Sequence, residues 1–407
     1  MSRQTDRPRV LILGGGFAGL ACANALSADQ FAVSLVDAKA DFEFLPNIHE
    51  LLSGVKKPRQ LRLPLAAALR ARGHRFVRGR IDRIDPSERR ANIGAKTLRG
   101  DYLVVALGSA DATFGVSGVA EHSFGFKSVE QCAAIRARLQ SLAKARRAAN
   151  IVIVGGGLEG VEALGEILRA YRESAMHITL VEARERLLPE ASTGVSKHIA
   201  ALARHHSVEL LLSDPVKRIT AKTVALQSAR RLRSDLTIWT GGPRPPDLLA
   251  ESGLGASNSW SPVDRCLQHT EFKNVFIAGD SAKTPFDLSK QAYHAMDMGR
   301  AVARNIQYSG KGQGPRAYRP SPKPTLLAFG DVDTVLTTPQ GSLAGPALAA
   351  GKEAVFAGVM AQLDQRPMAR RLEAAVDRGK TANKELLWPR LKSWNALKKQ
   401  ARLKPIK

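Results

Sequence analysis

Three glycines constrain this chain more than any other feature. Gly14, Gly16 and Gly19 stand at the spacing G-x-G-x-x-G, after the apolar run at 10–13 and before an apolar stretch at 20–26. The spacing predicts a buried strand, a tight turn and a helix over 20–26. The first glycine permits the turn, the second lets a backbone approach a pyrophosphate, and the third lets the helix pack on the strand. The helix start then offers free N–H groups and a positive dipole end to the phosphates. One such motif is a weak signal. Here residues 31–37 read as a second strand ending in Asp37, at about the 20-residue distance expected of a ribose-binding acid. The chain then repeats the pattern: a strand at 151–154, the glycines Gly155, Gly157 and Gly160, a helix over 160–171, and a strand at 178–182 ending in Glu182. Two dinucleotide turns make this an internal duplication. They also imply chemistry: a tightly held flavin beside a nicotinamide donor, a two-electron source next to a carrier that passes electrons singly or in pairs.

A chain of 407 residues is long enough for two or three domains. Its most apolar late stretch, 341–360, is broken by Lys352 and Glu353, so no membrane-spanning helix is expected. No signal peptide is expected either, because the first apolar run is the strand of the glycine turn. Cys22, Cys132 and Cys266 are far apart and form no C-x-x-C, which suits a reducing compartment and structural roles. The formal charge is +24. Such a field attracts nucleic acid, anionic lipid or acidic proteins, and two cofactors account for little of it. Residues 378–407 alone carry ten Lys and Arg against one acid, Glu385.

Along the chain, residues 41–54 mix aromatics with Pro46 and His49, as in a loop packed against a flat ligand; an ordinary buried connection is the alternative. A helix is predicted over 65–71, strands near 75–77 and 101–108, and a strand–turn–strand over 81–98. A basic helix is predicted over 136–147. In the second unit a helix over 195–205 precedes strands at 208–212, 224–226 and 236–242. A strand at 274–280, a helix over 291–306 and a proline-rich linker over 315–324 follow.

Four motifs in this order, Gly14–Gly19, Ala106-Leu-Gly108, Gly155–Gly160 and Phe276-Ile-Ala-Gly-Asp280, resemble those of the two-dinucleotide-binding-domain flavoproteins, the pyridine nucleotide-disulfide oxidoreductase superfamily. Within it the chain resembles the type II NADH dehydrogenases and the apoptosis-inducing-factor-like quinone reductases, through residues 44–54, residues 318–330 and a basic amphipathic tail. The resemblance implies an α/β fold of two Rossmann-like domains, with the NAD(H) domain inserted in the FAD domain, and a basic amphipathic C-terminal region. The implied division is 1–112 and 265–330 for FAD, 113–264 for NAD(H) with its core from 150, and 331–407 for membrane association.

By the same resemblance FAD is held by Gly14, Gly16, Phe17, Ala18 and Gly19, by Asp37 and Ala38, by Pro46, by Ala106 and Gly108, by Gly279 and Asp280, and by Lys290, Gln291 and Ala292. NADH, with NADPH as the alternative, is held by Gly155, Gly157, Leu158, Glu159, Gly160, Glu182, Gly241 and Gly242. An acid at Glu182 favours NADH because it repels a 2′-phosphate, although Arg184 softens this. Glu162, Tyr293 and His294 are the candidate catalytic residues. Glu162 is implied to lie near nicotinamide and flavin, where it positions the ring or tunes charge; the alternative is an acid that only complements the helix dipole. The helix from 291 should turn its positive end to the flavin edge that gains negative charge on reduction. Tyr293 and His294 are expected along the acceptor channel.

There are departures from the resemblance. The quinone-flanking A-Q-x-A-x-Q-x-G helix of bacterial relatives reads Ala292-Tyr-His-Ala-Met-Asp-Met-Gly299 here. Without a cysteine pair near Cys22, glutathione-reductase chemistry is excluded. Without a cysteine after Cys266, sulfide:quinone reductase chemistry is excluded too. The implied activity is NADH oxidation with electron transfer to a quinone, without proton pumping, at the cytoplasmic face of a membrane. The alternatives are a soluble reductase for a protein or small acceptor, and a flavin-bearing scaffold. In the tail, Leu387, Leu391, Trp394 and Leu397 fall at helical spacing among Arg390, Lys392, Lys398 and Lys399, as in a helix lying on anionic lipid; docking on the body is the alternative. A homodimer is left open, no nucleic-acid motif is present, and no metal site is expected.

Overall fold

The computed structural model describes residues 7–145, 147–382 and 403–406. Apolar runs with no alternation belong to strands covered on both faces, and such runs build two parallel sheets. The first strand, β1 (Arg9–Leu13), runs into the glycine turn and α1 (Phe17–Ala25). β2 (Ala32–Asp37), the short α2 (Glu50–Ser53), β3 (Arg75–Arg78) and β4 (Tyr102–Val105) follow. After α3 (Val129–Lys144) the second unit repeats the scheme: β5 (Ala149–Val154), α4 (Leu158–Tyr171), β6 (Met176–Val181), α5 (Thr193–His205), β7 (Glu209–Leu211) and β8 (Leu236–Trp239). Then come β9 (Val275–Ile277) and the long α6 (Ala292–Gly310). The chain closes with β10 (Thr325–Phe329), β11 (Asp333–Thr338), β12 (Gly341–Ala344), α7 (Leu348–Leu363), α8 (Met368–Ala382) and β13 (Lys404–Ile406).

The first sheet has the order β9-β4-β1-β2-β3 and the second β7-β6-β5-β8. Numbered within each unit, both contain the order third, second, first, fourth, to which the first adds β9 as a fifth strand, so the duplication extends from motif to topology. All pairings in both sheets are parallel. β9 returns to pair with β4, Val275 opposite Leu103, so the second unit is an insertion in the first. The chain leaves and returns side by side, with Ala110 opposite Arg244.

A third sheet, β10-β11-β12-β13, is antiparallel. Position 331, where the C-terminal region is expected to begin, lies in the turn between the paired strands β10 and β11. Within that region β11 and β12 add to this sheet and α7 packs on the body, with Phe356 and Met360 fully buried. The predicted tail helix, with Leu387, Leu391, Trp394 and Leu397, lies outside the described residues. β13 pairs with β12 through Ile406 opposite Ser342, so residues 404–406 belong to this sheet.

Other boundaries moved for local reasons. α1 begins at Phe17, because Gly16 already serves as its N-cap. α3 begins at Val129 rather than at 136, because the Ser128 hydroxyl accepts from the Gln131 N–H at 3.2 Å and starts the helix. Residues 41–54 are no plain loop. Phe42 and Phe44 are buried in edge-to-face contact with Phe17, and Phe44 also meets Phe356. These aromatics belong to the core.

Candidate active site

At the first turn Gly14 has φ +104° and its N–H donates to the Val36 carbonyl at 2.8 Å. A Cβ on Gly14 would sit 2.2 Å from the Ala106 carbonyl oxygen, and one on Gly19 would sit 1.9 Å from the Gly14 oxygen. Both glycines are there for close approach of backbone. Gly16 differs, because nothing lies within 4 Å of where its Cβ would be. That opening leaves the helix start accessible, so the residues fit a pyrophosphate. Asp37 latches the turn: Oδ2 accepts from the Gly15 N–H at 2.6 Å and Oδ1 from the Lys39 N–H at 2.8 Å. Its remaining lone pairs are free to accept further hydrogen bonds, as ribose hydroxyls would offer.

Opposite this turn, Gly279 lies at φ +72° against Ala18 and Ala295. Ser281 donates to the Gly108 carbonyl at 2.9 Å, and Ser109 donates to Asp280 at 3.3 Å. Burial holds the Asp280 carboxyl above its ordinary range. Lys290 donates to the backbone carbonyls of Asp280 and Ala282 and lies over the Trp260 ring. Gln291 donates to Thr325 and is the N-cap position of α6, whose first N–H groups receive no side-chain cap. They stay available to a ligand. Pro46 is exposed in a single 3₁₀ turn.

The second turn repeats the first. Gly155 has φ +106° and donates to the Val181 carbonyl at 2.8 Å. Glu182 accepts from the Gly156 and Arg184 N–H groups at 2.6 and 2.8 Å. Gly157 is open and Gly160 is closed by the Gly155 oxygen at 1.9 Å. Across from it, Thr240 donates to the Val154 carbonyl and Gly242 takes φ +104° beside an open face. The Trp239 indole donates to the Ala112 carbonyl and packs where a Cβ on Gly241 would go. Leu158 is exposed, and Glu159 pairs with Lys127 at 2.6 Å.

From the second turn, α4 carries Glu162 into a buried polar cluster whose members the sequence does not show to be neighbours. Lys352, from α7, pairs with Glu162 Oε1. The Ala328 N–H donates to the same oxygen at 3.1 Å. His49 Nδ1 lies 3.3 Å from Oε2, and its Nε2 lies 3.3 Å from the Lys352 ammonium. All three side chains are buried. Burial, reinforced by Lys352, holds His49 well below its usual pKa, while burial raises the Glu162 carboxyl against the pull of Lys352. A neutral imidazole facing an ammonium accepts at Nε2. Its Nδ1–H therefore donates to Glu162, and the cluster is satisfied throughout.

A second cluster adjoins it. Lys56, fully buried, pairs with Glu353 at 2.5 Å and stands over the Phe356 ring. Glu50, 3.8 Å from Lys56, accepts from Asn47. One turn beyond Glu162, burial pushes Glu166 up to about 7; it pairs with Arg169 and accepts from Ser53. Lys352 and Glu353 were legible in sequence only as an interruption of an apolar stretch. Two charges in a run that is otherwise buried need partners, and that was the available signal.

Tyr293 and His294 sit elsewhere. Among the described residues no hydrogen bond joins either to Glu162. His294 is buried with its Nδ1 unpartnered, beside Asp280, Lys290 and Met298 around a small cavity. Burial lowers its pKa and raises that of half-buried Tyr293. Asp297, at a quinone-flanking position of the resembled motif, is engaged by Lys323 at 2.6 Å and Arg300 at 3.1 Å. Cys22 and Cys132 are buried, and no metal-binding cluster is present among the described residues.

The family model described as pyridine nucleotide-disulphide oxidoreductase matches residues 8–299. A curated relative, the type II NADH:quinone oxidoreductase of Staphylococcus aureus, is 26% identical; the match covers 86% of this chain and 93% of that protein. Among solved structures, NDH2 from Plasmodium falciparum in complex with NADH is similar with a TM-score of 0.82 at 15% identity, over 93% of this chain and 98% of that one. The sulfide:quinone oxidoreductase from the hyperthermophilic bacterium Aquifex aeolicus is similar with a TM-score of 0.76 at 20% identity, over 93% and 95%.

Proposed function

The chain belongs to the pyridine nucleotide-disulphide oxidoreductase family, and on that premise we propose that it oxidises NADH, with FAD as cofactor, and delivers two electrons to a quinone. The observation that carries this reading is the pair of matching glycine turns, with the buried cluster in which Glu162, on the helix of the second turn, meets His49 of the first unit and Lys352. Bound FAD supplies a carrier that takes a hydride and gives up two electrons.

The protein's own residues do the rest. Gly14, Gly16, Gly19 and Asp37 hold one dinucleotide; Gly155, Gly157, Gly160 and Glu182 hold the other. Lys290 orients the Asp280 turn through two backbone carbonyls. Glu162 keeps charge and orientation fixed at the place where the two units face each other. Reducing a quinone takes up two protons, and the cluster carries exchangeable protons on Lys352 Nζ and His49 Nδ1. The lack of a cysteine pair supports the quinone reading over disulfide chemistry.

Membrane attachment is peripheral in this proposal. Among the described residues no helix is long and apolar enough to cross a membrane. Met368, Leu372 and Val376, one turn apart on α8, are exposed, at 65, 57 and 53%. Arg370, Arg371 and Lys380 share that helix, and Arg59 pins it to the body through Asp377 at 2.6 Å. An apolar stripe flanked by cations suits an anionic lipid surface, and we place that surface on the cytoplasmic side.

The deciding experiment is steady-state NADH oxidation with a ubiquinone analogue, a menaquinone analogue and ferricyanide, each with and without anionic vesicles. We expect quinone turnover that rises with vesicles. Turnover with ferricyanide alone would overturn the quinone assignment.

A further inference from the structure

The two glycine turns differ in charge at one position, and there the NADH-holding role that the resemblance implies for Glu159 needs a physical account. The residue before the last glycine is Ala18 in the first turn and Glu159 in the second. Glu159 is in the first turn of α4, next to the N–H groups that a pyrophosphate has to reach. An acid there complements the helix dipole. By the same physics it competes with a phosphate for that end, and its charge repels one.

Lys127 answers this. Its ammonium is 2.6 Å from Glu159 Oε1 and its side chain is 19% exposed, while the Glu159 side chain remains 40% exposed. Two further carboxylates, Asp111 and Asp280, are close enough to Lys127 and Glu159 to interact electrostatically. Desolvation raises the Glu159 carboxyl above its usual range, and Lys127 opposes that rise. The lysine is rigidly placed. Phe124 bonds to the edge of β8 through its N–H to Thr237 and its carbonyl from Trp239, at 2.9 and 2.8 Å. The Lys127 N–H donates to the Gln131 side chain at 2.8 Å, and Ser128 caps α3 immediately after. A side chain held from a fixed backbone loses little freedom when it binds.

We propose that Lys127 is a binding residue for the nicotinamide dinucleotide: its ammonium cancels the Glu159 carboxylate at the start of α4 and makes that helix end acceptable to a pyrophosphate. The first turn, with Ala18 in that place, needs no such cation. The proposal rests on the reading of the second turn as the NADH site.

The test titrates the FAD-loaded protein with NAD⁺ by calorimetry, so that binding is read without turnover. Lys127→Met should weaken NAD⁺ binding by at least about tenfold, the effect of leaving one partly desolvated charge unpaired. The flavin content should stay unchanged. Glu159→Gln alone should bind at least as tightly as the wild type. The double variant Lys127→Met/Glu159→Gln should return to within about threefold of it. Lys127→Arg should retain binding. If Lys127→Met binds NAD⁺ normally, or if Glu159→Gln fails to rescue it, Lys127 only supports the fold and the proposal is wrong. If the wild type itself binds no NAD⁺, the NADH reading falls, and this proposal with it.

Discussion

Gly14 and Gly155 take φ +104° and +106°, and each donates 2.8 Å to the strand beside it. Asp37 and Glu182 latch the following N–H groups at the same 2.6 Å. The turns are alike; the helices behind them are not. α1 is buried from Ala18 to Ala23, and no acid or base occurs anywhere along it. It packs on α6 so closely that a Cβ on Gly299 would lie 2.1 Å from the Ala18 oxygen. α4 is also buried, yet it carries Glu162 and Glu166 inward to His49, Lys352, Ser53 and Arg169. One helix is an apolar anchor. The other places ionisable groups where the two units meet. The same motif can thus be put to two uses, because the turn sets only the phosphate end and the buried face remains free to differ.

The largest expected effect tests whether the units are independent. Gly19→Ala and Gly160→Ala both force a Cβ to 1.9 Å from a backbone oxygen. Gly19→Ala should abolish flavin retention, read as flavin absorbance per protein after gel filtration. Gly160→Ala should keep the flavin and lose NAD⁺ binding. Equal flavin loss in both would break the comparison.

Next comes Lys352→Met, which strands Glu162 and His49 in the interior. Removing one partner of a buried ion pair costs about 3–5 kcal/mol, read by urea unfolding. Adding Glu162→Gln should recover most of that stability but not quinone turnover.

Glu166 supplies a pH test. Its folded pKa of about 7 lies above the usual carboxylate value of 4.5. The fold therefore binds this proton more tightly than the unfolded chain does. The favourable contribution is complete below pH 4.5, declines as pH rises, and is gone above about 7. The difference between wild type and Glu166→Gln should change by about 3 kcal/mol across that window. α1 has no group that can do this, so a matched Cys22→Ala control should leave the pH profile unchanged between 4.5 and 7. The smallest effect is at the second latch: Glu182→Ser should raise the ratio of kcat/KM for NADPH over NADH by about tenfold.

Much of this was legible in advance for one physical reason. A glycine turn is a local demand of backbone geometry, so Gly14, Gly16 and Gly19 announce it, and so do their counterparts at 155, 157 and 160. Strand runs such as 151–154 announce burial on both faces in the same local way. Both latching acids fell at the ends of the strands where they were expected. The aromatics of 41–54 left two readings open in sequence, a ligand-facing loop or a buried connection, because Phe42 and Phe44 look alike in sequence whether they face a ligand or Phe17 and Phe356.

What the sequence determined by itself, then, is the duplicated scaffold and the chemistry of two dinucleotides, since both follow from residues a few positions apart. Only the tertiary structure decided what surrounds Glu162. His49, Glu162 and Lys352 are hundreds of residues apart in part, from three separate elements, and a lysine in an apolar helix reads as a flaw until its partner is seen. Coulombic pairing in the interior depends on distance in space, and no spacing along the chain encodes that distance. Lys127 and Glu159 follow the same rule: each is ordinary in sequence, and the fold makes them a pair at the mouth of the second glycine turn.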